Sequence, residues 1–454
     1  MAGMDPVLKS LTEMGPTGVA RFAESLDPNW IVEALQATGS ASIRRRKFPA
    51  TLVVWLVLGM ALFADRSIVE VIDHLRLMLP GVKSISKGAV PPARYRVGPE
   101  PLRWLFYTVA EAWAHTPGGE DYRGLSLYGI DGSHIRVPDS DANWEHFGKP
   151  GGRNGPDDAA YPQVRVAWLM NLRNRMLVDA EFGPWATSEH TLAEELWSVI
   201  PDHSITLVDR GFINYAVFVA HVQEGIDRHI LIRMKSNLKY EVAEELPDGT
   251  VIGRFSVPHN VRIQYPGLPA TFLARVIEYE HPGGEPGRLM TSLLDWEAYP
   301  AQELVTLYHE RWELEVGYDE LKTHMLERKE ALRSLKPEGI AQELWGLFTV
   351  YNLVRREMLL VAQKRKLPAN RISFRASLMW IRNFWIIAWG DSPANIPKHL
   401  GEIESTFDLL VLPPRRSDRK YPRHVKIKMS NYPRNRGKKR AARKVPKKAS
   451  KSAK

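Results

Sequence analysis

Apolar positions recur at helical spacing over roughly the first quarter of the chain and then change to the two-residue period of strands, so the fold is expected to change character there. Amphipathic stretches near residues 30–37, 48–63, 68–79 and 101–114, separated by Pro- and Gly-containing breaks, predict a helical N-terminal domain over residues 1–120. From Leu125 the pattern is β-rich, and segments 127–137, 163–172 and 176–182 predict three consecutive antiparallel strands. A helix over 189–199, a strand over 205–208, a helix over 215–222 and a strand over 229–232 complete a first core segment, residues 121–234.

Residues 235–299 turn to short strands, predicted at 251–257, 261–265, 270–279 and 289–294 and punctuated by Pro and Gly; they read as a β-rich insertion. One strong helix is expected from 301 to about 325, within a segment 300–330 that returns to the core. Apolar helices near 339–365 and 374–389 make a helical C-terminal region, 331–412. Residues 413–454, rich in Pro, Lys, Arg and Ser, have too little apolar surface to fold alone. The fold class is therefore α/β, and three strands followed by alternating helix and strand is the layout of a ribonuclease-H-like domain.

Composition narrows the chemistry. With 454 residues, 44% hydrophobic and 25% charged, the chain is not mainly disordered or fibrous, and it has room for about three domains. The absence of cysteine excludes disulfides, zinc-thiolate sites, iron–sulfur clusters and a cysteine nucleophile, so any metal sits on oxygen or imidazole. The net charge of +10 is unevenly spread: from Arg415 to Lys454 there are 18 Lys and Arg against the single acid Asp418, and the rest of the chain is slightly acidic. Such a tail releases counterions from a polyanion such as nucleic acid, although a solubility or ribosome-proximal role fits the same charge. The cluster Arg44, Arg45, Arg46 and Lys47 just before the most apolar helix is a second place for phosphate contacts, or a solvated loop. The apolar run 50–64 is short for a membrane span, which needs roughly 18–20 apolar residues, and it reads as a buried core helix. With no targeting sequence recognised, the expected location is the cytoplasm.

Three acids carry the candidate chemistry. Asp131 follows the apolar run Leu-Tyr-Gly-Ile, and Asp209 follows Ile-Thr-Leu-Val, so two strands present carboxylates at one edge of a sheet. A carboxylate at the end of a buried strand is costly unless paired or bound to a cation, though each taken alone also fits a cap or turn. On the helix beginning at 301, with Tyr308 set at zero and about 100° per residue, Arg311, Glu315 and Lys322 fall within about 60° of it. An aromatic and two cations flanking one Glu would suit a phosphodiester; a solvated face with intrahelical ion pairs is the other reading. Carboxylates from two strands and a helix can hold two Mg²⁺ ions, with Mn²⁺ as a substitute, for phosphoryl transfer on a polynucleotide.

The spacing of Tyr308, Arg311, Glu315 and Lys322 resembles the Y-R-E-K signature of the insertion-sequence-four family of DDE transposases. Ile130-Asp131-Gly132-Ser133 and Val208-Asp209-Arg210-Gly211-Phe212 resemble its two Asp motifs. The resemblance implies a DNA transposase whose ribonuclease-H-like core is interrupted by the β-rich insertion. It implies Asp131, Asp209 and Glu315 as metal-binding triad, and Tyr308, Arg311 and Lys322 as contacts to the phosphates of a transposon end. It further implies double-stranded DNA and a homodimer as partners, excision of the element and joining of its 3′-hydroxyl ends to target DNA. Relatives cut through a hairpin intermediate with a flipped base stacked on an aromatic; Trp296 and Trp185 are the residues considered for it, with core packing as the plainer role. Two other readings use the same fold: a DNA nuclease or resolvase, and a non-catalytic DNA-binding derivative.

Overall fold

The computed structural model describes residues 26–41, 48–78, 85–150, 161–212, 218–219, 221–222, 225–280, 286–327, 332–390 and 410–413. The Arg44–Lys47 cluster, half of the helix expected at 215–222 and the basic tail from 414 lie outside the described residues.

Five helices open the described chain: α1 (Pro28–Ala37), α2 (Ala50–Leu62), α3 (Ile68–Met78), α4 (Val90–Val97) and α5 (Glu100–Trp113). Twelve positions of α2 are buried, which is why its apolar character has no polar face: it is a core helix, as expected. It packs against the long α11 (Pro337–Lys364), where a Cβ added to Gly346 would meet Val57 Cγ1 at 2.7 Å. α4, which the hydrophobic pattern did not reveal, is tied to the same helix through Arg94, whose Nε donates to Gln342 Oε1 at 3.0 Å and which pairs with Glu343 at 3.4 Å. The final described helix is α12 (Phe374–Gly390). No described helix is long and apolar enough to cross a membrane.

Nine strands form one sheet in the order β3-β2-β1-β4-β5-β9-β8-β7-β6. β1 (Ser126–Arg136), β2 (Gln163–Asn171) and β3 (Leu177–Pro184) are the three antiparallel strands the alternation predicts. A short helix between the first two, Asp141–Phe147, was not expected. Helix Glu189–Leu196 leads to β4 (Ser204–Val208), which runs parallel to β1 and to β5 (Arg228–Arg233). Every residue of β4 is buried, the polar Ser204 and Thr206 among them.

Strands β6 (Glu241–Glu245), β7 (Val251–Ser256), β8 (Thr271–Glu280) and β9 (Pro286–Thr291) continue that sheet, because β9 pairs antiparallel with β5 with Ile232 opposite Met290. Segment 261–265 departs from the sequence reading: it lies in a helix, His259–Gln264, instead of a strand. The alternating Val261 and Ile263 fit a strand period, but Ile263 is exposed and no residue of the helix is buried, while the Pro258 carbonyl accepts from both Val261 and Arg262. Conversely β6 escaped notice since all five of its residues are exposed and three are Glu; charge on an edge strand discourages pairing with other chains.

The helix expected from 301 to 325 is broken. It consists of α9 (Ala301–His309), a turn at Glu310 and Arg311, α10 (Trp312–Asp319) and a π-helical segment, Glu320–Met325. A uniform 100° per residue does not hold across these junctions, so the single stripe drawn from Tyr308 to Lys322 does not exist as an ideal helix face.

Candidate active site

The last paired residues of the parallel β1 and β4 are Ile130 and Val208, so Asp131 and Asp209 are the next positions on neighbouring strands. Adjacent strands lie roughly 4.8 Å apart, which puts the two acids side by side at the edge where the parallel pairing ends. β5 continues the row: Val208 pairs with Ile232, leaving Arg233 beside Asp209. Each of these three charged residues follows a mainly apolar run, and for Arg233 the run is Ile-Leu-Ile. The same signal that found the two Asp residues could have found Arg233.

α10 is held over this edge by close packing. Glycines at 129 and 317 permit the approach, since a Cβ at Gly129 would meet Leu314 Cδ1 at 2.8 Å and one at Gly317 would meet Met170 Cε at 2.4 Å. Tyr318 stacks on Trp168 with ring centroids 3.8 Å apart and donates to the Asp131 carbonyl at 2.7 Å. Behind the helix, Arg175 pairs with both Glu313 and Glu320, and Glu320 also binds Arg355 and accepts from the Tyr351 hydroxyl. Opposite charges in this buried group compensate one another, which lets them leave water.

Glu315 lies on α10 and is linked to the acid edge through Arg311, which lies between it and Asp131. Arg311 Nη2 donates to Glu315 Oε1 at 2.8 Å, while Nη1 is 3.8 Å from Asp131 Oδ2. Lys322, on the π-helical segment, donates to Ser133 Oγ at 2.9 Å, two residues beyond Asp131. Tyr308 is buried and donates to the Val208 carbonyl at 3.3 Å, supporting the backbone that leads into Asp209.

Electrostatics mark Asp131 as the tightest point. Burial pushes its carboxyl up to about 6; the Gly132 N–H and Arg311 act the other way, and the charges of Glu189 and Asp209 add to the rise. Glu189 was missed in the sequence. It opens helix Glu189–Leu196 and sits against Gly132, where a Cβ would lie 2.5 Å from Glu189 Cδ. Its Oε1 is 3.4 Å from Arg165 Nη1. Nothing local distinguishes Glu189 from any Glu in a first helical turn, so only the packing reveals it. Trp312, missed too, is 49% exposed and directly follows Arg311. By contrast Trp185 and Trp296 are half-buried, and Trp185 carries Arg165 over its ring at 5.7 Å.

Among the described residues, no three His, Asp or Glu side chains form a group able by itself to hold a metal ion. The chemistry of the edge nevertheless fits a hard divalent cation: the donors are carboxylate oxygens, and Asp131 bears the negative charge of two neighbouring acids. Asp131, Asp209 and Glu315 would be the residues to hold it.

A family model described as the N-terminal part of insertion element 4 transposases matches residues 16–107, and one described as a transposase DDE domain matches residues 123–353. Transposase InsG for insertion sequence element IS4, from Escherichia coli (strain K12), is 33% identical over 431 residues, covering 94% of this chain and 95% of that protein. A structure of the piggyBac transposase synaptic complex with hairpin DNA aligns with 92% of this chain and 87% of that one, at 13% identity and a TM-score of 0.43. With a DDE domain over slightly more than half its length and a full-length IS4 relative, the chain belongs to the IS4 family of DDE transposases.

Proposed function

We propose that this transposase binds the terminal inverted repeats of its own element, pairs two ends in a homodimer, excises the element and joins its 3′-hydroxyl ends to target DNA. The observation that carries this reading is the row Asp131, Asp209 on adjacent parallel strands, with Glu315 brought to it through Arg311. Two Mg²⁺ ions, or Mn²⁺ in their place, would supply activation of a water or 3′-hydroxyl and stabilisation of the leaving oxygen in an in-line displacement at phosphorus.

The chain's own residues do the remaining work. Arg311 and Lys322 flank the acids and are placed to take a phosphodiester; Arg233 adds a third cation at the same sheet edge. Tyr308 acts through the backbone before Asp209, setting where that carboxylate sits. Excision through a hairpin calls for an aromatic surface for an unstacked base, and the exposed Trp312 beside Arg311 joins Trp185 and Trp296 as a residue to supply it. The basic cluster Arg44–Lys47 and the tail add sequence-independent DNA affinity. The reaction takes place on DNA in the cytoplasm.

One assay separates this from simple nuclease action. With Mg²⁺ and a precleaved end bearing a free 3′-hydroxyl, the protein joins that end to a target duplex; hydrolysis products alone would convert the reading to a nuclease. Asp131→Asn, Asp209→Asn and Glu315→Gln are each expected to lower joining by at least about a thousandfold while leaving binding to the duplex within about threefold. Full activity in any one of them removes that residue from the triad.

A further inference from the structure

Arg311 stands where a cation is most wanted. One guanidinium spans acids from two elements, donating to Glu315 on α10 at 2.8 Å and lying 3.8 Å from Asp131 on β1. The charge of Asp209 acts on it as well. Its side chain is only 19% exposed, so solvent screens these pairings weakly. The backbone is fixed at the turn between α9 and α10, where the Arg311 N–H donates to the Tyr308 carbonyl at 3.1 Å; the long side chain is the part free to swing. Divalent ions compete with a guanidinium for the same carboxylate oxygens, and a DNA phosphate competes with those carboxylates for the guanidinium's donors.

The geometry points to Arg311 as the resident counter-cation of the catalytic carboxylates, drawn off Asp131 and Glu315 by an arriving DNA phosphate so that the acids are released to divalent ions. Metal loading is thereby coupled to DNA, and the free protein is kept from assembling a cutting site away from its substrate. The coupling is reciprocal, so bound metal strengthens the hold on DNA by the same factor. This inference rests on the reading of Asp131, Asp209 and Glu315 as metal-binding acids.

The test is Mn²⁺ binding to the full-length protein, followed by loss of the free-ion electron paramagnetic resonance signal, with and without a mixed-sequence DNA duplex. In the absence of DNA, Arg311→Gln is expected to bind Mn²⁺ roughly tenfold more tightly than the wild type, and Arg311→Lys, which keeps a cation, to stay near it. The duplex is expected to tighten Mn²⁺ on the wild type and hardly at all on Arg311→Gln. Equal or weaker binding by Arg311→Gln, or the same tightening by DNA in both proteins, overturns the role of Arg311. Adding Asp131→Asn to Arg311→Gln must abolish the gain; if the gain survives, the ion sits elsewhere and the carboxylate reading itself fails. Should Arg311→Gln not fold, as judged by circular dichroism, the wild type decides with a methylphosphonate duplex. Neutral at phosphorus, that duplex must leave Mn²⁺ affinity unchanged, and tightening by it overturns the proposal.

Discussion

Asp131 is partly buried and His221 fully, and desolvation disfavours the charged form of each: the Asp131 carboxyl rises to about 6, and the His221 imidazole falls to about 4. For His221 the nearby charges of Arg228 and His229 act in the same direction as burial. Among the described residues neither of its ring nitrogens has a hydrogen-bond partner, and the ring packs near Trp197 with centroids 5.3 Å apart. An unfolded histidine takes up a proton below its ordinary 6.5, and this one does so in the fold only near 4. The neutral ring's contribution is therefore complete above pH 6.5 and is lost as pH falls through the window from 6.5 to 4, by at most about 3 kcal/mol. His221→Leu should flatten that acid limb, read as a smaller difference between urea midpoints at pH 7 and pH 4.5; an unchanged difference would place the pH sensitivity elsewhere. At this scale Asp131 and Asp209 were legible in the sequence, because an acid after an apolar run stands out. Glu189 was not, since its role depends on a contact with Gly132 made across the fold.

Between residue and molecule, the segment Ala301–Met325 shows how an element is tuned. An uninterrupted α-helix would set Tyr308, Arg311, Glu315 and Lys322 by sequence spacing alone. The turn at Glu310 and Arg311 and the π-helical segment instead let Tyr308 reach Val208 while Lys322 reaches Ser133. The π segment is anchored by Glu320, which is 5% exposed and binds Arg175, Arg355 and Tyr351. Replacing it with Ala leaves two buried guanidiniums short of their counter-charge, so Glu320→Ala is expected to lose about 3–5 kcal/mol in chemical denaturation. A loss under about 1 kcal/mol would mean that the network is not what holds the segment. The existence of this helical region was plain from its amphipathic sequence. Its breaks were not, because the residues around them pair with side chains far along the chain: Glu310 with Arg173, Arg311 with Asp131, and Glu320 with Arg175 and Arg355.

For the whole molecule, the described residues up to Pro413 form one compact unit, with a hydrophobic core running from Leu26 to Leu410. Truncation after Pro413 is therefore expected to leave the thermal unfolding of the remainder unchanged within about 2 °C. It should lower DNA affinity and flatten the salt dependence, since the 18 Lys and Arg from Arg415 onward would no longer release counterions. An unchanged salt slope in a filter-binding titration would return the tail to a role in solubility. The sequence by itself determined the α/β class, the strand order within 126–184, the buried helix at 50–62 and the two acids that follow apolar runs, all of which follow from local periodicity and the cost of burying charge. Only the tertiary structure decided that the β-rich segment joins the same sheet through β5 and β9, and that Arg311 lies between acids from β1 and α10. Strand partners distant along the chain and salt bridges across a cleft depend on which surfaces meet, and residue spacing carries no record of that choice.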